Sequence, residues 1–123
     1  MERAFTLAEA SELMPEVLAH ADELIEVRAG LVELQAALAA GKRSSLGGLP
    51  EAKGFQARLS ELLGWFPNQG LDLKGFAPLL LDFPAEMQGE PVLLCWLEGE
   101  RELGWYHKVS HGFAGRRRIP PEL

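Results

Sequence analysis

The sequence predicts an α+β fold, with a long helix and a shorter antiparallel helix packed on a three-stranded antiparallel β-meander. Three observations lead there. Apolar residues recur at helical spacing through the first half of the chain, a glycine-rich stretch separates two such segments, and the second half turns to short apolar runs between turn residues. The 123 residues fit one domain spanning the whole chain, its helical part at about 5–66 and its β part with the C-terminal tail at about 76–123. A chain of this length buries roughly two thirds of its unfolded surface, so neither a disulfide nor a metal is needed for it to fold.

The helical part opens on Phe5-Thr6-Leu7-Ala8-Glu9. Thr6 can accept from the amide three residues on while Glu9 reaches back, a capping box, and Phe5 is placed to staple onto Ala10. Pro15 suits the first turn of a helix and not its interior. The expectation is therefore a short helix to about Leu13 and a long one from Pro15 to about Ala40. Along the latter, Val17, Leu18, Ala21, Leu24, Ile25, Leu31, Val32, Leu34 and Leu38 keep helical spacing, but Arg28 and Gln35 interrupt a strict zipper seam. Gly41 to Pro50 reads as a flexible loop. A second helix is expected from Glu51 to Gly64 or Phe66, with Phe55, Leu59, Leu62 and Leu63 on one face.

Strands are expected at Leu79–Phe83, Val92–Glu98 and Leu103–Val109, the first two separated by Pro84 to Pro91 and the last two joined tightly around Gly99. The middle strand is apolar on both faces: Val92, Leu94 and Trp96 on one, Leu93, Cys95 and Leu97 on the other. One face belongs on the helices. The other needs the tail, another helix or a second subunit, and for that reason a homodimer is expected.

Composition excludes several classes of function. Hydrophobic residues make up 47% and charged residues 24%, an ordinary globular balance. A single cysteine forms no internal disulfide, which fits a cytoplasmic location. Glu2 and Arg3 precede an amphipathic segment, unlike a signal peptide, and no apolar run approaches the roughly 18 residues a membrane span requires. A net charge of −6 argues against nucleic acid as a partner. No nucleophile elbow, dinucleotide fingerprint, kinase signature or P-loop is present.

Residues suited to chemistry gather between Leu94 and Arg116, together with Asp82. Cys95, mid-strand between Leu94 and Trp96, reads as a small apolar filler, and no second cysteine stands near enough for a paired thiolate site. His107 and His111 are four apart, but along a strand that places them about 13 Å from one another, too far to share an ion unless Ser110 begins a bend. Asp82 is an acid in an apolar strand and calls for a specific partner. Arg116 is the expected one, a buried pair fixing the tail, and Glu98 and Glu100 read as solvated turn charges. The alternative groups Asp82, Glu100, His107 and Arg116 as a ligand pocket, with Asp82, Glu100 and His107 the candidate ligands of a divalent metal and Arg116 a holder of an anionic group. Arg116-Arg117-Arg118 is the only basic run and is too short to indicate nucleic acid on an acidic chain.

The ordered set of features resembles the uncharacterised prokaryotic family DUF2203. The likeness begins at Phe5-Thr6-Leu7 with Ala10 and Pro15 and resumes at Asp82-Phe83-Pro84, Leu94-Cys95-Trp96 and Gly99-Glu100. It ends at His107 and Gly112-Phe113-Ala114-Gly115-Arg116. Two positions depart from the family pattern: Tyr106 stands before the histidine in place of tryptophan, and Lys108 follows it in place of an acid. The resemblance implies a cytoplasmic prokaryotic protein and supplies no activity. With no catalytic constellation in the sequence, the expected function is a non-enzymatic interaction or small-ligand-binding module. The alternative is a metal-dependent binding protein or hydrolase with a carboxylate/histidine site.

Overall fold

The structure, a computed structural model, describes residues 4–121. It contains two helices, α1 (Leu7–Ala39) and α2 (Leu49–Asn68), followed by strands β1 (Asp72–Phe76), β2 (Leu79–Met87), β3 (Glu90–Leu97), β4 (Trp105–Lys108) and β5 (Arg117–Arg118). The class is α+β, as expected. Contacts cluster into two compact units, one comprising Ala19–Trp65 and the other Met1–Leu18 with Phe66–Leu123.

The unit from Ala19 to Trp65 is a helical hairpin. Its antiparallel sense follows from its pairs: the His20 ring stacks on Trp65 at 3.7 Å between centroids, and the Arg58 guanidinium grips the Glu23 carboxylate at 2.6 and 2.7 Å. The partner's number falls as that of the α1 residue rises. Ala21, Leu24, Leu31 and Leu34 of α1 and Ala52, Leu59 and Leu62 of α2 are buried, spaced at the three- and four-residue steps of one helix face.

Each helix end has a local cause. At the start of α1 the predicted capping box is present: the Glu9 amide donates to Thr6 Oγ1 and the Thr6 amide to Glu9 Oε1. Glu51 reaches back in the same way to the Gly48 amide before α2. The end of α2 is a Schellman motif, in which the Leu71 amide donates to the Phe66 carbonyl and the Gly70 amide to that of Pro67. Gly70, at φ 91°, takes the left-handed conformation this motif requires. Leu71 and Phe66 are both buried there.

Pro15 does not divide the first helix. α1 is continuous through it, so the expected short helix ending near Leu13 is corrected. A proline inside a helix lacks one N–H and crowds the preceding turn. Here Pro15 is exposed while Met14 and Val17 beside it are buried, so burial of the flanking apolar positions keeps the helix running.

The sheet has five strands, not three, in the order β1-β2-β3-β4-β5, with every neighbouring pair antiparallel. The segment expected as a connection from Pro84 to Pro91 is instead the end of β2 and start of β3, closed by a tight turn at Gln88-Gly89. Both turn residues have positive φ, 53° and 81°, as a two-residue hairpin turn of the primed kind requires. Pro84 is tolerated because its carbonyl accepts the Phe5 amide on the strand's outer side. A strand residue's N–H and C=O point the same way, so the missing donor is one the β3 ladder never uses.

Register divides the sheet into two faces. Leu81 pairs with Trp96, Phe83 with Leu94 and Ala85 with Val92. These side chains, with Leu79 and Phe5, are buried and form the apolar core of this unit. Phe5 meets Phe83 edge-on at 5.4 Å. The opposite face carries Leu80, Asp82, Leu93, Cys95, Leu97, Trp105 and His107. Among the described residues no helix is long and apolar enough to cross a membrane.

Candidate functional site

The hairpin turn at Gln88-Gly89 fixes which residues meet on the second face. It places Asp82 directly opposite Cys95, and the next ladder places Leu93 opposite His107 and Cys95 opposite Trp105. Asp82, Cys95 and His107 therefore come from three adjacent strands onto one side of the sheet. All three are buried, and one donor atom from each lies within 4.8 Å of the others.

The imidazole is held from both ends. His107 Nδ1 lies 2.9 Å from the Lys108 carbonyl oxygen. A carbonyl only accepts, so Nδ1 carries the proton of this bond. Nε2 then faces Asp82, at 3.3 Å from Oδ1 and 3.3 Å from Oδ2. The Cys95 thiol beside them has its pKa pushed up to about 12 by burial, with the Asp82 carboxylate next in effect and Arg116 acting in the opposite direction. A thiol so placed is protonated at neutral pH and inert as a free nucleophile.

Above this cluster lies a cavity of about 200 Å³, whose floor is Asp82, Cys95 and His107 and whose walls include Leu80, Leu93, Val109 and Phe113. The only cationic side chain in its lining is Lys74, from β1. The tail supplies one wall through a 3-10 turn at Phe113–Gly115. Gly115 is obligatory there, because a Cβ would stand 2.5 Å from that of His111.

Arg116 anchors the tail. Its guanidinium donates to both oxygens of Glu100, at 2.7 and 2.9 Å, and to the Cys95 carbonyl at 3.1 Å. It also lies over the rings of Trp105 and Phe113, 4.9 and 4.8 Å from their centroids. Arg116 Nε is the one buried side-chain nitrogen or oxygen among the described residues without a hydrogen-bond partner. Glu100 does more than balance this charge. It accepts the Leu97 amide, and its backbone carbonyl accepts the Trp96 indole N–H.

The four residues singled out from the sequence thus form two pairs. Asp82 meets His107, and Glu100 meets Arg116. The expected Asp82–Arg116 pair is replaced because the β2–β3 and β3–β4 ladders together set His107 diagonally across β3 from Asp82, while the turn after β3 brings Glu100 to the tail. The expectation of solvated turn charges is corrected as well: Glu98 accepts the Leu79 amide, and both glutamates are half-buried. Glu100 stands outside the metal-compatible cluster, and Cys95 takes that place. Sequence reasoning set Cys95 aside, yet a hairpin centred on Gln88-Gly89 was the signal that would have put it opposite Asp82. His111 sits on the exposed turn beyond β4.

A family model described as an uncharacterized conserved protein, DUF2203, matches residues 3–119. No curated protein and no solved structure matches the chain.

Proposed function

The chain belongs to the DUF2203 family, and from the geometry of its buried cluster we propose that it is a non-enzymatic small-ligand-binding module. The observation that carries this reading is one cavity. Three buried side chains with donor atoms form its floor, apolar side chains form its walls, and an anchored tail closes one side. Convergent polar groups in an otherwise apolar concavity are the usual make-up of a ligand pocket. The Cys95 thiol, protonated at neutral pH, is no activated nucleophile in this cavity, which favours binding over catalysis there.

Native mass spectrometry of freshly purified protein tests it. The expected result is a bound mass that is retained by the wild type and lost by Leu93→Trp, which fills the cavity. A bare chain that gains no thermal stability from any small ligand offered would contradict the reading.

A homodimer remains part of the proposal. Val32 and Leu38 on α1 and Leu49 at the start of α2 are exposed, at 63%, 40% and 62%, and supply apolar side chains that a second copy would cover. Sedimentation at micromolar concentration is expected to give twice the chain mass, and Val32→Glu to give the monomer. A wild type that sediments as a monomer would remove the dimer from the proposal.

A further inference from the structure

We propose that Asp82, Cys95 and His107 form a site for one divalent transition-metal ion of the zinc class, with a fourth coordination position open to the cavity. This rests on the ligand-binding reading and names its ligand.

The donor set is the first support. One carboxylate, one thiolate and one imidazole make a borderline-soft trio suited to zinc or cobalt and unsuited to magnesium or calcium, which take oxygen. Donors on one tetrahedral ion, with bonds of about 2.0–2.3 Å, stand roughly 3.3–3.7 Å apart. His107 Nε2 and the Asp82 oxygens are already separated by 3.3 Å. With all three donors inside 4.8 Å, the sulfur needs only a small approach.

The tautomer is the second. Because Nδ1 donates to the Lys108 carbonyl, Nε2 is the nitrogen left to face the two Asp82 oxygens. Attraction between them needs a proton or a cation in the gap. A charge-assisted hydrogen bond would close to about 2.7–2.9 Å on one oxygen; the separation here is longer and equal for both. A backbone carbonyl holding the far nitrogen is also how ligating histidines are oriented.

The third is room. Three ligands from the sheet and a cavity above them match an open site that keeps one exchangeable position. Loading is a proton-for-metal exchange: the Cys95 S–H bond breaks, the sulfur lone pair binds the ion, and the proton passes to solvent. Two anionic ligands then balance the charge of a divalent ion.

The test is an anaerobic cobalt(II) titration of the full chain after dialysis against chelator. The expected result is saturation at one ion per chain, with tetrahedral visible bands and a near-ultraviolet thiolate-to-cobalt charge-transfer band, all displaced by zinc. The chain has one cysteine, so this band reports Cys95 even if no variant folds. Cys95→Ser is expected to lose the band, and His107→Ala to weaken binding by more than about tenfold. Three results would each overturn the proposal: no saturable binding, an octahedral spectrum without the charge-transfer band, or unchanged affinity in folded His107→Ala. An organic mass retained by the native protein alongside a blank cobalt titration would remove the metal and leave the binding module standing. Failure of both experiments would remove both.

Discussion

The two faces of β3 obey different rules. Val92, Leu94 and Trp96 point into an apolar core at 4%, 1% and 1% exposure. The polar group of this buried trio, the Trp96 indole N–H, is satisfied by the Glu100 carbonyl. The other face has the same register and similar leucines, yet sets Asp82, Cys95 and His107 under the tail. Burial accounts for the first face completely. It does not account for the second, because a buried ionic or polar pair replaced by well-packed apolar residues is often neutral or stabilising. One strand thus serves as core on one side and as the floor of the proposed site on the other.

The largest expected effect lies on the core face. Trp96→Ala removes a fully buried ring and the indole donor and is expected to cost about 3–5 kcal/mol in denaturant unfolding, with or without metal. A cost below about 1 kcal/mol would mean that this face is not the core.

Asp82→Ala comes next. It leaves His107 facing an empty position and is expected to cost about 3 kcal/mol in metal-free protein. Replacing both, Asp82→Leu with His107→Leu, is expected to recover most of that stability and to abolish ligand binding. A double variant as unstable as the single one would show the pair to be structural, and the difference between the faces would disappear.

Arg116→Ala is expected to cost about 1–2 kcal/mol, since the Glu100 pair is only partly buried. The loss should be local. Faster amide exchange at Gly112–Arg118, with β2 and β3 unchanged, is the expected result; uniform protection in the variant would show that Arg116 does not anchor the tail.

The smallest effect belongs to the exposed hairpin pair. Arg58 lowers the pKa of the Glu23 carboxyl below its ordinary 4.5, chiefly by hydrogen bonding. A carboxyl lowered in the folded state contributes stability that is present above its unfolded value and lost as pH falls through the folded one. Glu23→Gln should therefore melt slightly below wild type at neutral pH, and the gap should close in acid and in high salt. A gap that persists in acid would show that the pair is not its source.

Much of this was legible in the residues. The capping box at Thr6 and Glu9, the helical hairpin and the α+β class follow from local pattern, and local pattern governs helix ends and strand alternation. β1 was not legible: Asp72, Lys74 and Gly75 look like a loop, and only pairing with Leu79–Asp82 makes them a strand. β5 is two arginines long and exists only through Trp105 and Tyr106. The continuity of α1 through Pro15 was lost to a propensity rule that burial overrode. Asp82 and His107 were found because an acid or base in an apolar strand is conspicuous, and Glu100 and Arg116 because they follow glycines in the turn and tail beside those strands. Their partners were not, since pairing is a matter of register. Cys95 is buried as its place between Leu94 and Trp96 suggests, but its position beside Asp82 and His107 was not legible, for the same reason.

The most direct measurement of the central claim is X-ray absorption at the zinc edge on protein loaded with one equivalent of zinc. The expected first shell is one sulfur at about 2.3 Å with nitrogen and oxygen neighbours at about 2.0–2.1 Å. A shell of oxygen and nitrogen alone would contradict it, and the second face of β3 would then be a buried polar pair beside a cysteine of the core.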